Sequence, residues 1–127
     1  MVNPTHIKRL AFIKYVYTLG IEQSYQPVPS SSVSLLLFHD SIELFLQLAS
    51  EIFDVGKSKV EFMAYWDLLS KEISDETLPQ KEAMRRLNKA RVSLKHSGTR
   101  PSEIDIESFL FSSTSFFFFS VPLFFFL

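Results

Sequence analysis

Apolar residues recur at helical spacing in four stretches of this chain and run almost unbroken through a fifth. From about Thr5 to Leu19, the residues Ile7, Leu10, Ala11, Lys14 and Tyr15 sketch a mostly apolar face, and Gly20 reads as its stop. Tyr25 to Ser32 carries Pro27, Pro29 and three serines, so it reads as a loop whose serines can cap the next helix. That second helix, about Ser32 to Asp54, has Leu35, Phe38, Ile42, Phe45, Leu48, Ala49 and Ile52 in register. Leu36, Leu37, Leu44, Leu46 and Phe53 widen its stripe. A helix apolar on most sides belongs in the centre or at an interface. His39, Glu43 and Gln47 are four apart on one face, which suggests a solvated seam with His39 bonded to Glu43.

Gly56 and Lys57 form a turn before a third helix over about Lys59 to Lys71, with Phe62, Trp66 and Leu69 inward. Ser74 to Pro79 connects to a fourth helix that ends near Ser97, Gly98 taking the position after its C-terminus. Pro101-Ser102-Glu103-Ile104-Asp105 then holds an N-cap serine with an acid three residues on, which starts a fifth helix. The pattern predicts an all-α bundle of four to five helices.

The end of the chain changes character. Phe109 to Leu127 carries no charge, and nine of its nineteen residues are phenylalanine. Its residue types (Phe, Leu, Val, Ser, Thr and Pro) can all be encoded with a pyrimidine at the second codon position, as translation of a pyrimidine-rich tract would give. One reading therefore ends the domain at residue 108 and makes 109–127 a frameshifted tail. A second makes the uncharged stretch from Ser108 a C-terminal membrane anchor, since about 20 apolar residues span a bilayer. Its serines, Pro122 and lack of a flanking cation argue the other way. A third makes it a core helix.

At 127 residues the chain is one domain with enough length to bury a core. It has no cysteine, which excludes disulfides and thiolate metal sites, and its histidines, His6, His39 and His96, have no paired ligand spacing. No metal or cofactor is expected. With a net charge of -1, any pull on nucleic acid must come from a local surface. The first residues lack the basic-then-apolar order of a signal peptide, so the expected location is cytoplasmic, with membrane association through 109–127 the alternative.

That local surface lies on the fourth helix, where Arg85, Arg86, Lys89, Arg91, Lys95 and Arg100 gather close to His96. A guanidinium can hold a phosphate at two points, and an imidazole can exchange a proton near neutrality. At about 100° per residue, Arg91 and His96 stand about 140° apart around the helix, so they converge on one atom only if two copies meet.

The stretch Asn88-Lys89-Ala90-Arg91-Val92-Ser93-Leu94-Lys95-His96-Ser97-Gly98, running into Pro101, resembles the Arg-x4-6-His signature of the HEPN superfamily. The Phe38-His39-Asp40-Ser41 region adds to the likeness. The resemblance implies a dimeric, metal-independent endoribonuclease of toxin or defence type, acting on RNA and paired with a cognate antitoxin. Arg91 and His96 would be its catalytic pair, with Asn88, Lys95 and Glu43 in support and Asp40 a weaker candidate. Active members of that superfamily usually carry a polar residue directly after the arginine, where this chain has Val92. The alternatives are a non-catalytic RNA- or nucleotide-binding module of the same fold, or a helical interaction or membrane-anchored protein.

Overall fold

A computed structural model describes residues 3–56, 60–73 and 77–125. Among them are five helices and no strand: α1 (Pro4–Ser24), α2 (Ser30–Ile52), α3 (Ala64–Ser70), α4 (Lys81–Ser97) and α5 (Glu103–Phe125). The all-α bundle of the sequence pattern is the fold that forms.

α2 is the axis of the molecule, and α1, α3, α4 and α5 all lie against it. Leu35, Phe38, Ile42, Phe45, Leu46, Leu48 and Ala49 are fully buried along it. Each large side chain so removed from water contributes about 1.5–3 kcal/mol, which makes α2 the main source of stability. Ordered structure begins earlier than expected, at Ser30 rather than Ser32, so the preceding loop is short.

Gly20 does not stop α1. The helix continues to Ser24 with Gly20 buried inside it, because a Cβ there would meet the Phe38 ring at 2.8 Å. The glycine is needed for close approach of α1 to α2, and the sequence pattern alone gives the same residue a terminating role. At the other end Asn3 caps the helix, its side chain accepting the His6 N–H at 2.9 Å while His6 Nδ1 accepts the Asn3 N–H at 3.3 Å.

α3 is shorter than expected, Ala64–Ser70, and the start placed near Lys59 lies outside the described residues. Trp66 donates its indole N–H to Pro79 O at 2.9 Å, and Leu78 N–H donates to Ser70 Oγ at 3.0 Å. These two bonds tie α3 to the approach of α4.

α4 ends as its sequence foretells. Gly98 adopts φ 68°, its N–H donates to Leu94 O at 3.0 Å, and the Thr99 N–H donates to Ser93 O at 3.3 Å. This left-handed stop consumes two of the carbonyls that a helix end leaves open. Ser102 then caps α5, with Asp105 N–H donating to Ser102 Oγ at 3.1 Å and Asp105 Oδ2 accepting from Ser102 N–H at 3.4 Å. α5 passes through Ser108 and Phe109 without a break and places Phe109, Phe116 and Phe124 in the same core as α2.

Candidate functional site: the α2–α4 cleft

The polar residues that punctuate α2 and α4 meet where these helices touch. His39 is 1% exposed, inside the most apolar part of α2. Its Nε2–H donates to Asn88 Oδ1 on α4 at 2.8 Å, and its ring stacks on Phe62 with centroids 4.1 Å apart. The expected His39–Glu43 bond along a solvated seam is replaced by this bond between helices. A buried imidazole needs an acceptor more than it needs solvent, and Asn88 is the acceptor in reach. Gln47 is exposed, as that seam required.

Burial pushes the His39 imidazole down to about 4, against the opposing bond to Asn88, and the charges of Arg91 and Lys95 push it the same way. His39 is therefore neutral at pH 7. Since Asn88 Oδ1 takes its Nε2–H, Nδ1 keeps a lone pair that has no partner among the described residues.

Glu43 stands one turn beyond His39 and is half-buried. Burial raises its carboxyl, the charge of Arg91 opposes that rise, and Asp40 adds to it. Arg91 lies three residues after Asn88, so both project from one side of α4. The Arg91 Nε is buried and makes no hydrogen bond among the described residues. The ion pairs among the described residues are Arg9–Glu51, Lys81–Asp67 and Arg85–Glu82, so Arg91 answers Glu43 at a distance without a salt bridge. His39, Glu43, Asn88 and Arg91, with Glu61, Phe62 and Met63 from the α2–α3 connection, line an open cleft of about 360 Å³.

Among the described residues, the one group with metal-ligand spacing is His39, Asp40 and Glu43, whose donor atoms lie within 4.8 Å of one another. The positive charge of Arg91 at Glu43 acts against a second cation there.

The fold therefore brings together Glu43, Asn88 and Arg91 of the expected set and leaves His96 apart. His96 and Lys95 are exposed on the last turn of α4, and His96 does not line the cleft. Arg85, Arg86, Lys89 and Arg100 are exposed too, and Arg85 faces Glu82 at 3.5 Å. Sequence reasoning missed the place of His39 in the cleft and the part played by Phe62 and Met63. The signal available was a histidine set in the apolar run of α2 and an asparagine beside the inward stripe of α4.

Two helices, α2 and α5, are long and apolar enough to cross a membrane by length and composition alone. No protein-family model matches the chain, and neither does any curated protein sequence or solved structure.

Proposed function

We propose that this protein is a HEPN-like RNA-binding protein in which Arg91 grips a phosphate of the RNA at the α2–α4 cleft. The observation that carries this reading is the Arg91 guanidinium, which lines the open cleft and has no salt-bridge partner among the described residues. A guanidinium without a carboxylate partner can take two oxygens of a phosphate that enters the cleft in two-point geometry. Asn88 is fixed by His39 and steadies the same side of α4. Lys95, about one turn beyond Arg91 and exposed, adds positive charge on the same side of α4.

A second reading, a metal-independent endoribonuclease of toxin or defence type, is favoured by His96. This imidazole is exposed on a helix end, five residues after Arg91, where it can reach a strand held by another copy. Arg91 would stabilise charge on the phosphorane while His96 of the second copy moves the proton. Val92, exposed between them, occupies the position that is polar in active members of the superfamily, which keeps binding ahead of cleavage. A cognate antitoxin belongs to this second reading. We read the protein as cytoplasmic, and co-sedimentation with vesicles tests attachment through residues 109–127.

The deciding experiment uses the full chain, because α5 supplies Phe109, Phe116 and Phe124 to the core. Single-stranded RNA is titrated in EDTA against wild type, Arg91→Ala and His96→Ala, with cleavage followed on the same samples. Binding should fall about tenfold or more in Arg91→Ala, as loss of a charged hydrogen bond predicts, and survive in His96→Ala. Cleavage lost in both variants would move the reading to the nuclease. Equal RNA affinity in all three proteins would overturn the binding reading, and absence of cleavage by wild type would overturn the nuclease.

A further inference from the structure

α5 has a second apolar face that points away from the core. Phe109, Phe116 and Phe124 turn inward, while Ile104 is 78%, Phe111 73% and Phe118 72% exposed. Ile104, Ser108, Phe111, Ser115, Phe118 and Pro122 follow one another at steps of four and three, the spacing of a coiled-coil seam. Three phenylalanines on or beside it, Phe111, Phe118 and Phe119, leave on the order of 400 Å² of apolar ring exposed, taking about 200 Å² for each ring. That alone is as large as the patches that mark interaction sites, and about half of what a partner contributes to a stable complex.

We propose that this face is a homodimer seam in which α5 of two copies packs antiparallel, with Phe111 and Phe118 seated on Ser115 and Ser108 of the second copy. The seam alternates large and small residues, and its numbering is self-complementary about residue 113. Ile104 meets Pro122, Ser108 meets Phe118 and Phe111 meets Ser115, so each large side chain faces a smaller or flatter one. A parallel pair would set ring on ring and serine on serine, leaving gaps between layers.

Charge selects the same arrangement. Glu103, Asp105 and Glu107 crowd the start of α5 and no charge follows them. Parallel helices would bring six carboxylates together. Antiparallel helices hold the two acidic ends roughly 30 Å apart, at 1.5 Å per residue, and lay each against the uncharged end of the other. The same features disfavour an anionic lipid surface as the occupant, since the face has no cation and its acidic end is repelled.

The seam goes beyond the RNA-binding reading and stands without it. Because α4 feeds directly into the start of α5, this pairing carries the two α4 ends to opposite ends of the dimer. The two Arg91 clefts are then separate, and joining Arg91 to a second copy's His96 takes another contact.

The test is the mass of the full chain by sedimentation equilibrium at micromolar concentration, for wild type and for the double variant Phe111→Ser/Phe118→Ser. Wild type should be a dimer, and the double variant should associate roughly a hundredfold more weakly, as removal of two aromatic anchors implies. Both residues are exposed, so far-ultraviolet dichroism should not change. The chain has no cysteine, so Pro122→Cys takes a single spin label. An antiparallel seam places the two labels roughly 30 Å apart and a parallel one roughly 10 Å. A monomeric wild type, a dimer that persists in the double variant, or labels at the short distance would each overturn the proposal. Wild type that stays monomeric but sediments with neutral phosphatidylcholine vesicles would assign the face to lipid instead. RNA affinity per protomer should be equal in wild type and double variant, so failure of the seam is read separately from failure of RNA binding.

Discussion

α2 and α5 are the same length and are the two most apolar helices of the protein, yet they use that character in different ways. α2 is enclosed by the other four helices and buries residues on several sides. α5 buries one side and leaves Phe111, Phe118 and Phe119 in solvent. Their polar residues differ as well. In α2 the hydroxyls of Ser34, Ser41 and Ser50 donate to carbonyls three residues earlier, and His39 is bonded across to Asn88. Ser31 and Ser32 in its first turn keep buried hydroxyls without partners among the described residues. In α5, Ser113 and Ser120 likewise have no partner among the described residues. Hydropathy does not separate a core helix from an interface helix. Where the apolar side chains point does.

The largest test of the contrast compares single truncations. Phe45 on α2 is fully buried and makes edge contacts with Phe116 and Phe124. Phe45→Ala and Phe116→Ala should each lose about 3–5 kcal/mol in urea unfolding, by lost transfer energy and the cavity left behind. Phe111→Ala should stay within about 0.5 kcal/mol under conditions where the chain is monomeric. Equal losses at Phe116 and Phe111 would erase the two-faced account of α5.

Next in size is the pH dependence set by His39. Its folded value of about 4 lies below its ordinary 6.5, so the unfolded chain takes up the proton first. The contribution is complete above pH 6.5, declines as pH falls from 6.5 to 4, and changes no further below that. The loss is on the order of 3 kcal/mol. Urea midpoints across this window should fall for wild type and flatten for His39→Phe. The same slope in both proteins would show that another group is responsible.

Gly20→Ala sets two effects against each other. Alanine improves helix propensity by about 1 kcal/mol, while its Cβ would press on the fully buried Phe38 ring at 2.8 Å, an overpacking that costs about 1–3 kcal/mol. A net destabilisation of roughly 1 kcal/mol is expected in thermal unfolding, and a stabilised variant would mean that α1 and α2 can move apart freely. Smallest of all is Ser113→Ala, which removes a buried hydroxyl without a partner. It should be neutral or slightly stabilising, in contrast to Asn88→Ala, which strips the acceptor from His39 at a cost of about 1–3 kcal/mol.

The sequence made the helices legible because their signals are local: Ser102 with Asp105, Gly98 after Ser97, and the apolar spacing of α2. It misread Gly20 because a glycine required by a neighbouring ring looks the same as one that ends a helix. Asn88 and Arg91 were legible together through their spacing on α4, while Glu43 was a supporting candidate under the resemblance and its meeting with them across two helices was not legible. The Asn88 acceptor for His39 was not, since it comes from a residue 49 positions away. Spacing within α4 sets Arg91 beside the inward stripe and His96 farther round, but it does not show the cleft that Arg91 lines.

The measurement closest to the central claim is the affinity of the full chain for single-stranded RNA in EDTA, wild type against Arg91→Ala, across a salt series. The account predicts affinity that falls as salt rises and falls about tenfold or more further without Arg91. An unchanged affinity in Arg91→Ala, with the fold intact by dichroism, would contradict it.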